Sequence, residues 1–344
     1  MMRNSKQIKI GNVLIGGNNK IAIQSMCDTK TSDVASTIEQ IACLEKVGCN
    51  IVRVAVPDEL SAKSIKLIKN DINIPLVADI HFNSKLAVQA IENGADKVRI
   101  NPGNMQEYDL LRVISCAKMH NTPIRIGVNS GSLNKEYLSK YNKIDALCNT
   151  LTDYVKFFEQ QSFYNLVLAI KSSSVMETVQ ANRRIATLFD YPLHIGVTEA
   201  GITEIGQIKN AIGIGSLLLD GIGDTIRVSL TDNPIKEIET AKLILSSLNL
   251  SGGVEFVSCP KCGRCSIDLD SIARQVYNYV SKINKNIKVA VMGCEVNGPG
   301  ECADADIGLA GGNGKVAFFK KGKVYKIVDE SDAVQLFIEE IDKL

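Results

Sequence analysis

The sequence predicts an α/β protein in two parts: a (β/α)8 TIM barrel over residues 1–250 and a smaller α/β domain over residues 251–344. Three observations carry this expectation. From Ile21 to about Leu230, short β-branched runs alternate with longer stretches whose apolar residues recur three and four apart, and eight such pairs can be counted. The runs lack the inside–outside alternation of a half-wet sheet, which suits a parallel sheet covered by helices. The rhythm then stops at a polar, glycine-bearing break, Asn249–Gly253, and the remaining residues offer too few strands to extend a barrel.

The expected strands are Ile21–Gln24, Ile51–Ala55, Pro75–Ala78, Lys97–Ile100, Ile124–Val128, Asn165–Ile170, Leu193–Val197 and Thr225–Ser229. Helical periodicity lies between them, as in Asp33–Val47, Leu60–Ile68 and Lys85–Asn93, and Asp232–Leu248 reads as the last barrel helix. Barrel chemistry belongs at the C-terminal ends of the strands, and polar residues gather there. Arg53 falls late in the second strand; Asp79, His81 and Asn83 follow the third; Arg99, Asn101 and Asn104 close the fourth. Asn129, Lys171 and Glu199 follow the fifth, sixth and seventh, and Arg227 lies in the eighth. Any one of these also suits loop solvation or a helix cap; together they describe a pocket. The glycines of Gly213–Ile226, beside Asp224, suit either an anion-binding backbone nest or tight turns.

In the second part, Leu269–Val280 and Ser331–Ile341 read as helices and Ile287–Met292 and Ile307–Ala310 as strands. Lys315–Lys320 and Lys323–Val328 read as a hairpin around Gly322.

A chain of 344 residues, 45% hydrophobic, buries a core and excludes disorder as its main state. Its 39 basic and 38 acidic residues are interspersed and nearly cancel, so no broad positive field for nucleic acid arises. Any anionic ligand is met by local groups. Residues 1–11 lack an apolar signal core and no later stretch approaches a membrane span, from which a cytoplasmic protein is expected.

Ten cysteines divide by placement. Cys27, Cys43, Cys49, Cys116 and Cys148 are scattered singly and read as small buried hydrophobes. Cys259, Cys262, Cys265, Cys294 and Cys302 fall within 44 residues, three of them as Cys-Pro-Lys-Cys-Gly-Arg-Cys. Soft thiolates at such spacing, in glycine- and proline-rich backbone, suit an iron–sulfur cluster or zinc, with unliganded thiols as the third reading. The histidines, His81, His120 and His194, all lie in the barrel half, which favours iron–sulfur without excluding zinc. Two further readings stay open: a barrel hydrolase or aldolase for phosphorylated compounds with a structural zinc module, and a zinc-ribbon-like RNA-binding module using Arg264 and the lysines from Lys315 to Lys326.

The chain resembles the bacterial two-domain 4-hydroxy-3-methylbut-2-enyl diphosphate synthases. The resemblance runs from Ile21 to about Leu309 and rests on motifs in order. These are Gln24-Ser-Met, Ile51-Val-Arg-Val, Val77-Ala-Asp-Ile-His-Phe, Arg99-Ile-Asn-Pro-Gly-Asn104, Gly196-Val-Thr-Glu-Ala-Gly201, Ser258-Cys-Pro-Lys-Cys-Gly-Arg264 and Gly293-Cys-Glu-Val-Asn-Gly-Pro-Gly-Glu301.

The resemblance implies a [4Fe–4S] cluster held by Cys259, Cys262, Cys294 and Glu301, with Cys265 and Cys302 outside the ligand set. It implies 2-C-methyl-D-erythritol 2,4-cyclodiphosphate as substrate, reduced ferredoxin or flavodoxin as donor and a head-to-tail homodimer; the balanced charge and the lack of an apolar span predict no nucleic-acid or membrane partner. The want of a Gly-x-Gly-x-x-Gly after the first strand agrees with the lack of a nicotinamide site. For the diphosphate the cations expected are Arg53, Arg99, Lys171 and Arg227, with Asn101 and Asn129 orienting oxygens and Arg264 reaching the same anion. Glu199 is the candidate for orienting or protonating the departing oxygen, assisted by His81 and Asp79, and Glu301 is the cluster ligand whose hard oxygen exchanges most readily.

Overall fold

The computed structural model describes residues 2–129, 133, 135–283, 285–295, 300, 303–312 and 314–344. It divides into two compact units, Met1–Leu248 and Asn249–Leu344.

The first unit opens with a hairpin absent from the sequence-based expectation, β1 (Ile8–Ile10) paired antiparallel with β2 (Val13–Ile15), turning at Gly11 with φ +55°. Eight parallel strands come next: β3 (Ala22–Met26), β4 (Ile51–Ala55), β5 (Leu76–Asp79), β6 (Lys97–Ile100), β7 (Ile124–Asn129), β8 (Leu166–Lys171), β9 (His194–Ile195) and β10 (Thr225–Ile226). They are ordered β8-β7-β6-β5-β4-β3-β10-β9, and a parallel bridge between Leu168 and Leu193 joins the two ends, closing the barrel. All eight expected strands are present. The last two keep regular pairing for only two residues each.

The connecting helices are α1 (Val34–Lys46), α2 (Glu59–Asn70), α3 (Ser84–Glu92), α4 (Glu107–His120), α5 (Lys135–Lys140), α6 (Lys143–Gln160), α7 (Val175–Leu188), α8 (Thr203–Leu219) and α9 (Pro234–Ser247). Several start on a capping side chain in the βα loop, where an oxygen accepts an otherwise orphaned N–H: Asp58 from Ser61 at 2.7 Å, Asn83 from Lys85 at 3.0 Å and Asn233 from Ile235 at 2.9 Å. These caps fix where each strand hands over to its helix, and so where the loops of the barrel mouth begin.

The barrel interior is layered by the two-residue period of a strand. At the N-terminal end Ala22, Ile51, Val77 and Val167 pack with Ile8, Ile10 and Ile15 of the hairpin as an apolar plug. Two residues farther along β3, β4 and β5, the same inward face becomes Gln24, Arg53 and Asp79. The glycine-bearing segment Gly213–Ile226 belongs to this plugged end. It comprises the last two turns of α8, an αβ loop and β10; in the loop Gly221 and Gly223 adopt φ +74° and +130° and a Cβ on Gly223 would meet Ile195 at 2.5 Å. Its glycines serve turns and close packing. Asp224 accepts from Ser5 at 2.5 Å and from the Leu193 N–H at 2.7 Å.

The second unit is a five-stranded sheet: β11 (Val254–Ser258), β12 (Ile287–Met292), β13 (Ile307–Gly312), β14 (Lys315–Lys320) and β15 (Lys323–Asp329). The first three run parallel and the last two antiparallel. Helices α10 (Leu269–Val280) and α11 (Glu330–Asp342) cover it, with Ile272, Val276 and Phe337 packed on Val289, Leu309 and Phe318. The hairpin turns through Lys321 and Gly322 at φ +47° and +75°, the geometry a two-residue turn between twisted strands requires. β11 was not expected. Among the scattered cysteines Cys27, Cys49, Cys116 and Cys148 are buried, whereas Cys43 is exposed, on the solvent side of α1.

Because Ile10 is fully buried in the plug, Ile10→Ala is expected to cost the barrel about 2–5 kcal/mol. Native-state hydrogen exchange checks this: protection should fall across β3–β8 while amides of β12 and β13 keep theirs.

Candidate active site

The interior above the plug is a cluster of cations. Arg53, Lys97, Arg99, Arg125 and Lys171 are all buried, and Arg227 is half-buried at the end of β10. Two carboxylates answer them. Asp79, at the end of β5, lies 3.1 Å from Arg99 Nη1 and 3.7 Å from Arg53 Nε. Glu237, projecting from α9, lies 3.2 Å from Arg227 Nη2 and also accepts from Ser25 Oγ at 3.0 Å and from the Leu230 N–H at 3.2 Å. Among the described residues no carboxylate comes within ion-pair distance of Arg125 or Lys171. Buried nitrogens remain without hydrogen-bond partners: Nε of Arg99 and Arg227, and both Nε and Nη1 of Arg125.

Strand register places this cluster. Asp79 pairs with Arg99 across β5–β6, Arg99 with Arg125 across β6–β7, and Asn129 with Lys171 across β7–β8. Two glycines make room. A Cβ on Gly127 would stand 3.0 Å from Arg99 Nε, and one on Gly196 would stand 2.8 Å from Lys171 Nζ and 2.2 Å from the Arg227 carbonyl. The thioether of Met26 takes Nε and Nη2 of Arg53 at 3.1 and 2.9 Å, a weak acceptor that a stronger anion can replace.

The electrostatics arise from crowding. Burial pushes the Asp79 carboxyl up, but Arg53, the hydrogen bond from His81, Arg99 and Arg125 together overcome it and hold the group well below the usual carboxylate range. Burial, reinforced by Arg227 and Arg99 and opposed by Asp79, brings Arg53 down to about 10. Burial and then neighbouring cations also lower Arg125 and Lys171. An interior built this way attracts anions.

In the second unit Cys259, Cys265 and Cys294 lie at one end of the sheet. β11 and β12 are parallel and in register from Val254 with Ile287 to Ser258 with Val291, so Cys259 and Cys294 leave the same edge. The Gly293 N–H donates to Cys259 Sγ at 3.2 Å, and Ser266 N–H donates to the Gly293 carbonyl at 3.0 Å, folding the cysteine loop onto that end. Cys294 is buried, Cys259 half-buried and Cys262 exposed. Cys265 packs against Gly293 and donates to the Ile267 carbonyl at 3.2 Å. Glu301 and Cys302 lie outside the described residues, and among those described no three His, Cys, Asp or Glu side chains form a group that could hold a metal ion. The donor chemistry fits an iron–sulfur cluster: soft sulfurs leave adjacent parallel strands at one edge, and a backbone N–H is already aimed at one of them.

Two family models match the chain, the GcpE TIM-barrel domain over residues 5–242 and the GcpE protein C-terminal domain over residues 255–343. The chain belongs to the GcpE family. It is 53% identical to the 4-hydroxy-3-methylbut-2-en-1-yl diphosphate synthase (flavodoxin) of Caldanaerobacter subterraneus subsp. tengcongensis, covering 100% of this chain and 98% of that protein. The proteins of the same name from Fusobacterium nucleatum and Clostridium perfringens are 51% and 50% identical, covering 97% and 99% of their lengths and 100% and 99% of this chain. Among solved structures, the dihydropteroate synthase of Stenotrophomonas maltophilia matches at 13% identity and a TM-score of 0.54, over 72% of this chain and 99% of that one. That likeness speaks to the fold alone. GcpE membership bears out the resemblance drawn from the motifs and sets aside the zinc-module readings.

Within this GcpE chain the structure brings Arg53, Asp79, Arg99, Lys171 and Arg227 together. His81 joins them at the mouth, 3.0 Å from Arg99 Nη1 and 3.6 Å from Asp79. Buried Asn101 accepts the Gly103 N–H at 3.3 Å, and Asn129 ends β7. Glu199 is exposed on the loop after β9 and adopts φ +52°, an uncommon conformation for glutamate and of a kind that clusters at functional sites. Arg264 is exposed in the second unit. Sequence reasoning missed Arg125, Lys97 and Glu237. The first was legible from the alternation Arg125-Ile-Gly-Val-Asn129, whose even steps share one face.

Asp79 carries a stability prediction. An unfolded aspartate titrates near 3.9, the native one lower, so as pH falls below about 4 the unfolded chain binds the proton first and stability is lost. Asp79→Asn leaves Arg53 and Arg99 unopposed and should cost about 3–5 kcal/mol at pH 7. Urea unfolding at pH 7 and pH 3 should show a smaller acid-induced loss in the variant than in the wild type; identical losses would remove Asp79 from the ion-pair cluster.

Proposed function

We infer that this chain catalyses the two-electron reductive ring opening of 2-C-methyl-D-erythritol 2,4-cyclodiphosphate to 4-hydroxy-3-methylbut-2-enyl diphosphate, with loss of one oxygen as water. The observation that carries the reading is the surplus of cations inside the barrel of a GcpE-family chain. A cyclic diphosphate supplies the negative charge that Asp79 and Glu237 do not. Arg53, Arg99, Arg125 and Arg227 present guanidinium forks for its oxygens, and Lys171 adds a movable charge. Since these groups are already buried and fixed, little reorganisation remains when the anion arrives. Asn101 and Asn129 orient hydroxyl and phosphate oxygens at the ends of β6 and β7, and Arg264 belongs to the same anion.

Glu199 orients or protonates the departing oxygen. His81, in contact with both Arg99 and Asp79, assists. Cys259, Cys262, Cys294 and Glu301 would hold a [4Fe–4S] cluster. When bound it supplies single electrons at low potential, drawn from reduced flavodoxin or ferredoxin. Glu301 would be the one hard oxygen donor beside three thiolates, and so the ligand most readily exchanged. Residues 1–250 act as the substrate domain and residues 251–344 as the cluster domain of a cytoplasmic, head-to-tail homodimer, in which one chain's cluster domain serves its partner's barrel. No helix among the described residues is long and apolar enough to cross a membrane.

Two experiments test this. Anaerobically reconstituted wild type should contain about four irons per chain and turn over the cyclodiphosphate with a low-potential donor, whereas Cys294→Ser should lose iron and turnover together. Wild-type inactivity with its iron in place would defeat the assignment. Arg125→Met should raise KM for the cyclodiphosphate about 10- to 100-fold, the cost of one charge-assisted contact, with iron content unchanged.

A further inference from the structure

Beneath the arginines lies a polar layer that the reaction leaves unused. Lys97, the first residue of β6, is fully buried, and its Nζ donates to the neutral amide oxygen of Gln24 on β3 at 3.3 Å. The interior carboxylates are engaged elsewhere, Asp79 with Arg53 and Arg99, and Glu237 with Arg227. Gln24 Nε2 has no partner. Alongside, His194 of β9 is fully buried, engages Thr225 Oγ1 through Nδ1 at 2.8 Å and leaves Nε2 without a partner. An ammonium with one neutral acceptor is costly in such a place, and the cost rises with every cation nearby. Burial, then Arg125 and Arg53, disfavour the charged form of Lys97; burial, then Lys171, Arg125, Lys97 and Arg53, do the same for His194.

We propose that Lys97 is a neutral amine in the free protein and takes up a proton when an anion occupies the cations above it, so that ligand binding and protonation of the barrel floor are one coupled event. The charged groups that act on it directly are Arg125 and Arg53, with His194 within its field, inside a barrel interior that also holds Asp79, Arg99, Lys171, Arg227 and Glu237, a set with net positive charge. Two or more negative charges placed among them cancel the repulsion that keeps the amine neutral. Gln24 Oε1 already stands where an ammonium needs an acceptor. Lys97 is thus a positioning residue: the free barrel is spared one repulsive charge, and that charge appears only when there is an anion to hold. The inference rests on reading the interior as an anion site.

The test is calorimetric titration of the cluster-loaded protein without electron donor, in buffers of differing ionisation enthalpy. The ligands are the cyclodiphosphate and, separately, inorganic cyclic trimetaphosphate. Both keep their oxygens ionised at neutral pH, so any proton taken up goes to the protein. Wild type should take up protons on binding, approaching one per chain at the optimum of a pH series, with affinity falling as pH rises. Lys97→Met should take up almost none. Gln24→Glu guards against misfolding of that variant: it retains the lysine, supplies a carboxylate that keeps it protonated beforehand, and should also abolish uptake. His194→Gln should keep it. Equal uptake in wild type and Gln24→Glu, no uptake in wild type, or its loss in His194→Gln would each overturn the proposal. Trimetaphosphate binding with uptake but no binding of the cyclodiphosphate would sustain Lys97 and defeat the substrate reading; failure of both ligands to bind would defeat both.

Discussion

The buried pairing of Asp79 with Arg53 and Arg99 is the constraint around which the barrel is arranged. Several guanidinium groups in a low-dielectric interior repel one another, and each has lost hydration. One carboxylate at the end of β5 opposes two of them, and Glu237 reaches in from α9 to oppose a third. The opposition is incomplete, which is why guanidinium nitrogens remain without partners. The cost is offset by an apolar setting around this polar interior. The hairpin plug beneath and the buried β-branched residues of the strands provide that setting.

How much of this is legible in the amino-acid sequence depends on which period a residue obeys. The eight strands are legible because Ile51–Ala55 or Lys97–Ile100 read as β-branched runs between helical stretches, whatever they pack against. The N-terminal hairpin is not, since Ile8–Ile10 and Val13–Ile15 are three-residue segments whose pairing gains its stability from the floor of a barrel far away in sequence. The same holds for β11, whose worth as a strand depends on β12. Site residues at strand ends are found by looking where barrels do chemistry. Arg125 escapes that search because it enters early on β7, and Glu237 because it acts from a helix.

The cysteine site divides along the same line. Spacing identifies a thiolate cluster, but three intervals in one loop and a distant fourth cysteine do not say which sulfurs share an edge. Parallel pairing of β11 with β12 does, by carrying Cys259 and Cys294 to the same end of the sheet. Cys265 shows the converse. It has the spacing of a ligand, yet its thiol packs on Gly293 and donates to the Ile267 carbonyl.

The chemistry explains why the two halves are built on different physics. Holding a cyclic diphosphate calls for hard, fixed, positively charged donors whose desolvation is met in advance by a large core, and a closed barrel of 248 residues provides it. Holding an inorganic sulfide core calls for soft ligands on loops that can wrap closely, for which a glycine-rich edge of a small sheet is sufficient. Neither setting would serve the other. Guanidinium forks are no ligands for iron, and thiolates among those cations would compete with the phosphate oxygens. Each unit therefore carries the donors its own ligand needs, fixed cations inside the barrel and sulfurs on the loops of the small sheet.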